Sequence, residues 1–219
     1  MPNHVANRVT MHGITKLPLF TTDDKVLCFD FNKIIPMPES LNIESGSIES
    51  SAIDIALDKY RFNLNGAEEI ATRHSMSLNE FKKLGKKYLS NVVNYGYSTW
   101  YGWCPKNWGT KWNAYDNEQI EENIIQFNTA WAYPEPVIKK LSEMYPDNEV
   151  RIQWSDEDTG CNTGDITYKN GEIINGGEFE NNSNEAYEMY ILLHGESNCL
   201  AKDGNGNWYH KDCEHCDGC

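Results

Sequence analysis

The run from Val150 to Asn175 limits the possible folds more than any other part of the chain. Val150, Ile152 and Trp154 alternate with Arg151 and Gln153, which is the period of a strand with one buried face. Asp165 to Tyr168 and Glu172 to Asn175 then flank Lys169-Asn170-Gly171. An Asn-Gly pair between two strand-like runs signals a tight hairpin, because both turn residues must accept positive φ. A hairpin beside an alternating strand commits this part of the chain to an antiparallel sheet. Val5, Val9 and Met11 predict a first strand ended by Gly13, and Val26 to Ile35 a second, stopped by Pro36-Met37-Pro38. Within Ile120 to Trp131, the shared parity of Ile125, Phe127 and Trp131 predicts another strand.

Helical patterning occupies the rest. Residues 51 to 97 are helical in character, and Ser77-Leu78-Asn79-Glu80 forms a capping box ahead of a stripe of Leu78, Phe81, Leu84, Tyr88 and Val92. Lys82, Lys83, Lys86 and Lys87 fill much of the remaining surface as a solvated face. Pro134-Glu135-Pro136 opens a helix with Val137, Ile138, Leu141 and Met144 on one side. Asn184 to His194 carries Tyr187, Tyr190, Ile191 and His194 at helical spacing, with Gly195 at the C-cap position. The element order describes an α+β protein, an antiparallel sheet with helices on one face. One domain over 1–198 is expected, with a helical insertion at about 48–97 and a Cys/His-rich tail over 199–219.

Charge narrows the partners. With 33 acidic and 19 basic residues the formal net charge is −14, a field that repels phosphates, so direct nucleic-acid binding is not expected. No run approaches the ~18 apolar residues of a membrane helix, and Met1-Pro2-Asn3-His4-Val5 shows no apolar signal segment. A soluble intracellular protein is the expectation. Seven cysteines without a secretory signal argue against a disulfide framework.

Ser98 to Asn113 holds four of the seven tryptophans. Gly102, Pro105 and Gly109 interrupt it, which predicts a packed, irregular loop. An indole needs both burial and a partner for its N–H, so such a loop either plugs a core or lines a pocket. As a ligand site, Trp100, Tyr101, Trp103, Trp108 and Trp112 supply planar surface for stacking, Asn107 and Asn113 directional donors, and Lys111 a charge for a phosphate.

Several motifs together resemble a known family. Met1-Pro2-Asn3-His4-Val5 with Asn7, Phe29 to Pro38, Asn107 to Asn113, Phe127 to Trp131 leading into Pro134-Glu135-Pro136, and Asp156-Glu157-Asp158 with Gly160, Asn162 and Gly164 occur in order. They look like the YubB-like proteins of phages and conjugative plasmids, described as having a ferredoxin-like domain. The resemblance implies a βαββαβ topology and a mobile-element accessory protein, a setting associated with counter-defence. It implies no particular chemistry.

Two further constellations stand out. Cys213, Cys216 and Cys219 have Cys-x-x-Cys-x-x-Cys spacing, and Cys199 completes four thiolates suited to zinc, with His210 and His215 as alternatives. Asp156, Glu157, Asp158 and Asp165 lack EF-hand spacing and fit turns at a strand end. The leading reading is a non-enzymatic phage or plasmid protein. It inhibits a host immune effector, such as a CRISPR protein, or sequesters a small nucleotide signal. The alternative is a small enzyme using Pro2, as an N-terminal amine that titrates near neutrality, or the 156–165 carboxylates.

Overall fold

The computed structural model describes residues 3–23, 26–61 and 63–211. In chain order the elements are β1 (His4–Thr10), β2 (Phe20–Asp23), β3 (Val26–Phe29), α1 (Ser47–Ala56), α2 (Leu64–Arg73), α3 (Leu78–Tyr95) and α4 (Trp100–Asn107). They are followed by β4 (Tyr115–Glu121), β5 (Ile124–Ala130), α5 (Glu135–Met144), β6 (Val150–Asp156), β7 (Gly164–Lys169), β8 (Glu172–Glu178), α6 (Asn184–His194), β9 (Leu200–Lys202) and β10 (Trp208–His210). The chain forms two compact units, Met1–Pro36 with Asn107–Cys219, and Met37–Lys106.

The first unit is built on a six-stranded sheet of order β4-β5-β1-β6-β7-β8, antiparallel throughout. Strands β5 and β6 flank β1 and are joined through α5, which is a split βαβ unit. The order β4-β5-β1-β6 is that of a ferredoxin-like fold. The β7–β8 hairpin extends it beyond β6, and Asn170 and Gly171 at its turn have φ of 48° and 80°, as the Asn-Gly signal requires.

Register shows how the alternation became a core. Val9 stands opposite Ile125 and Ile152, and Asn7 opposite Phe127 and Trp154. Val5, Val9, Ile125, Phe127, Ile152, Trp154, Ile166 and Tyr168 therefore share one face, and all are buried. Each such side chain contributes about 1.5–3 kcal/mol relative to exposure. Helix α5 buries Val137, Ile138 and Leu141 and lies over this face. Tyr133, just before it, stacks on Trp154 at 3.9 Å, and Ser142 Oγ accepts from the Gly171 amide at 2.9 Å.

The α+β, ferredoxin-like class expected from the sequence is the observed one. The reverse face of the sheet is covered as well: Ala6 packs with Met189 and Leu193 of α6, beside the buried Ser155. Helices thus occupy both faces, where one was expected. Small residues on the reverse parity make room for a helix without producing an apolar stripe.

In the second unit α3 starts as predicted: the Ser77 amide donates to Glu80 Oε2 at 2.9 Å, and the Glu80 amide donates to Ser77 Oγ at 3.3 Å. Phe81 and Tyr88 pack with Ile48, Ala52 and Ile55 of α1 and with Ala67 and Ala71 of α2. Val92, expected in the stripe, is 44% exposed, and Asn91 is buried instead, its side-chain amide donating to the carbonyls of Ser40 and Ser98.

Local expectations failed where tertiary packing outweighed propensity. The strand predicted within Ile120 to Trp131 is β5, whereas its hairpin partner β4, which ends at Glu121, was not anticipated. Val26 to Ile35 is strand only to Phe29, which pairs with Phe20 of β2, and then turns through a short 3₁₀ segment at Phe31–Lys33. The tail begins with an ordered hairpin of β9 and β10.

Candidate functional site

The tryptophan-rich stretch divides between the two units. In Met37–Lys106, Trp100 and Tyr101 meet edge to face at 5.6 Å, and Trp103 is buried. These residues lie on α4 and not in the irregular loop expected from Gly102 and Pro105. A single internal proline removes one helical N–H, and burial of Trp103 and Cys104 outweighs that loss. Burial also pushes the Cys104 thiol up to about 12.

In the other unit, Trp108 is 2% exposed, donates its indole N–H to the Ile35 carbonyl at 2.9 Å and meets Phe31 edge-on at 5.8 Å. It is a core residue with its polar atom satisfied. Asn113 is also committed to the fold: Oδ1 accepts from the amides of Phe31 and Ala114, and Nδ2 donates to Asp30. Asn107 is half-buried at the end of α4.

Lys111 and Trp112 have different surroundings. The Lys111 ammonium lies 4.8 Å from the ring of Trp112 and 4.8 Å from that of Trp131, a cation between two indoles. Trp131 was not among the site residues expected from the sequence. It follows the last residue of β5, is 44% exposed and has φ of 74°, which costs a bulky side chain about 1–2 kcal/mol. Such strain persists only where neighbours enforce it. Here the Trp131 amide donates to the Asn3 carbonyl at 3.0 Å, and its carbonyl accepts from Asn162 Nδ2 at 3.2 Å. Asp156 holds both asparagines: Oδ1 accepts from Asn3 Nδ2 and Oδ2 from Asn162 Nδ2, each at 3.2 Å. Asp158 accepts a further bond from Asn3 at 2.9 Å.

Beside this cluster, His4 Nδ1 and the Tyr115 hydroxyl are 2.6 Å apart, and Trp112 meets Tyr115 edge-on at 6.3 Å. Burial, reinforced by the negative charges of Asp116 and Glu157, pushes the Tyr115 hydroxyl up to about 12. The cluster thus offers exposed aromatic surface, a cation and a main chain fixed in a strained form, which are groups suited to recognition. Parity with Phe127 is the one weak signal for Trp131 in the sequence, and positive φ cannot be read from a tryptophan.

Of the carboxylates proposed for catalysis, Asp156 and Asp158 meet at Asn3 Nδ2. Asp165 is apart from them: Asp156 lies on the Trp154 face of β6, whereas Asp165 stands opposite Gln153 on the reverse face and is bound by Arg151, with Nε at 2.8 Å. Pro2 lies outside the described residues.

The metal expectation divides in the same way. Cys213, Cys216, Cys219 and His215 lie outside the described residues, while Cys199 is disulfide-bonded, as is Cys161. A disulfide sulfur carries no thiolate charge for zinc. The bonded state of Cys161 and Cys199 departs from the expectation against a disulfide framework, because cysteine spacing does not reveal which sulfurs a fold brings together. Among the described residues no group of three or more His, Cys, Asp or Glu is placed to hold a metal ion. Among them, too, no helix is long and apolar enough to cross a membrane.

No curated protein matches the chain. The crystal structure of a protein api92 from Yersinia pseudotuberculosis is similar at a TM-score of 0.39 and 13% identity, over 82% of this chain and 99% of that one. Residues 107–192, which hold β4 to β8 and most of α6, match the family described as the ferredoxin-like domain in Api92-like protein. Over those residues the chain is similar to the ferredoxin-like domain of Api92-like proteins.

Proposed function

We propose that this chain is a non-enzymatic accessory protein of a bacterial phage or plasmid that binds and blocks a host defence protein, such as a CRISPR effector, in the host cytoplasm. The observation that carries this reading is Trp131, exposed, strained and fastened through both main-chain groups. An aromatic ring already ordered before binding loses little freedom when a partner covers it, which is the property of an interface anchor. The net charge of −14 suits a basic partner, including one whose groove normally holds nucleic acid.

The test is phage plating on two otherwise identical hosts, with and without the defence system, each expressing this chain. Plating should rise only on the defended host, and Trp131→Ala should abolish the rise while the variant stays folded. Equal plating with and without the chain on defended hosts would end the proposal. A second reading, a trap for a small nucleotide, is favoured by the Lys111 ammonium between Trp112 and Trp131, where a planar anion could stack. Native mass after incubation with host nucleotide extract separates the two, since a trap emerges heavier by one nucleotide and a blocker does not.

A further inference from the structure

Strand β8 is the outermost strand on one side of the sheet, and two of its side chains, Ile173 and Ile174, are 53% and 49% exposed. The Phe179 amide donates to the Thr163 carbonyl at 2.9 Å, and main-chain groups of an extended strand alternate in direction, so those of Glu178 point away from β7. An outer strand of this kind is a template on which an extended segment can add. Where β8 ends, a groove of about 190 Å³ opens, with Phe179, Met189 and Leu192 as its apolar lining and Glu185 and Glu188 as its acidic rim.

Charge identifies the occupant. From Gly171 to Ala201 the chain has six glutamates and no lysine or arginine, and all six glutamates are exposed. A second copy is a poor fit, because antiparallel pairing of two β8 strands about Asn175 sets Glu172 against Glu178, and like charges directly opposite repel. We infer that the β8 edge and the adjoining groove dock an extended segment of a partner protein, with lysine or arginine near its ends and one bulky apolar residue for the groove. The inference rests on the reading of this chain as a protein-binding module and names a second surface of it.

The experiment titrates the whole protein with a synthetic peptide of alternating valine and threonine, arginine at both ends and a terminal leucine, and follows backbone amide exchange by NMR. Binding should slow exchange at Glu178, and Glu185→Lys with Glu188→Lys should weaken it by about tenfold or more. Glu178→Pro, which removes an outward amide that no β7 bond needs, should weaken it as well. Absence of binding, unchanged exchange at Glu178, or equal affinity in the charge-reversed variant would each overturn the inference. The plating assay reports separately: full protection by the charge-reversed variant removes this surface and leaves the proposed function, whereas peptide binding without any protection removes the function and leaves the surface.

Discussion

The two outer strands of the sheet have different surroundings: β4 has β3 beside it, the Phe29 amide donating to Asn117 Oδ1 at 3.0 Å, whereas among the described residues no strand lies beyond β8. Strand β4 carries Asp116, Glu118 and Glu121, shifts register twice against β5 and holds Asp116 at φ 49°. Charges and irregularities of this kind discourage another strand from pairing. Strand β8 shifts register once and exposes Ile173 and Ile174, with its charges at the ends. The difference teaches that the molecule closes one edge and leaves the other available. An exposed apolar edge is a liability unless something is meant to cover it.

The largest test of this contrast concerns attachment to the neighbouring strand. A Cβ at Gly176 would stand 1.9 Å from the Asp165 carbonyl oxygen, and φ there is +85°. Gly176→Val should cost about 2–4 kcal/mol from overpacking and left-handed strain together, read from urea unfolding. Gln119→Val on the exposed part of β4 should stay within about 0.5 kcal/mol. Equal costs would mean that the edges are held alike.

Alkali offers a second test. Tyr115 of β4 has its hydroxyl pushed up to about 12, so it stays neutral in the fold after it would ionise in the unfolded chain. Its contribution is fully present below pH of about 10 and is lost as pH rises through about 12. Absorbance at a phenolate wavelength should show Tyr115→Phe removing a late-titrating tyrosine. Loss of an early one instead would show that β4 is open to water at its start.

The hairpin turns come next in size. Gly171→Ala at the β7–β8 turn should cost about 1–2 kcal/mol, since φ is +80° there. Glu122→Ala at the β4–β5 turn, which loses an exposed pair with Lys16, should change stability far less than the Gly171 substitution. Smallest in stability is Ile173→Lys with Ile174→Lys, within about 0.5 kcal/mol, yet sedimentation should show less self-association at high concentration. Association that persists would place the sticky surface elsewhere.

What the sequence made legible was local. The box at Ser77, the turn at Asn170-Gly171 and the cap at Gly195 each rest on a few adjacent residues, and each is present; β6 is a strand as its alternation predicts, but Gln153 and Ser155 on its second face are buried too. Strand β4 was illegible because an outer strand with neither face fully buried shows no alternation. Helix α4 was hidden by its glycine and proline. For the candidate site, Trp108 and Trp112 look alike in sequence. Only the fold reveals that Phe31 and the Ile35 carbonyl enclose the first, while the second stands by Lys111.

The bond from Trp108 to the Ile35 carbonyl has one more consequence. It ties the chain just before Met37 to the chain just after Lys106, so both ends of the intervening stretch are fastened together on the sheet-bearing unit. Asn113, bonded to Asp30 and Phe31, joins the same two segments, so closure of that long loop is borne on the sheet-bearing unit by an indole and an amide side chain. The ferredoxin-like scaffold thus keeps its own seam shut across the stretch that interrupts it.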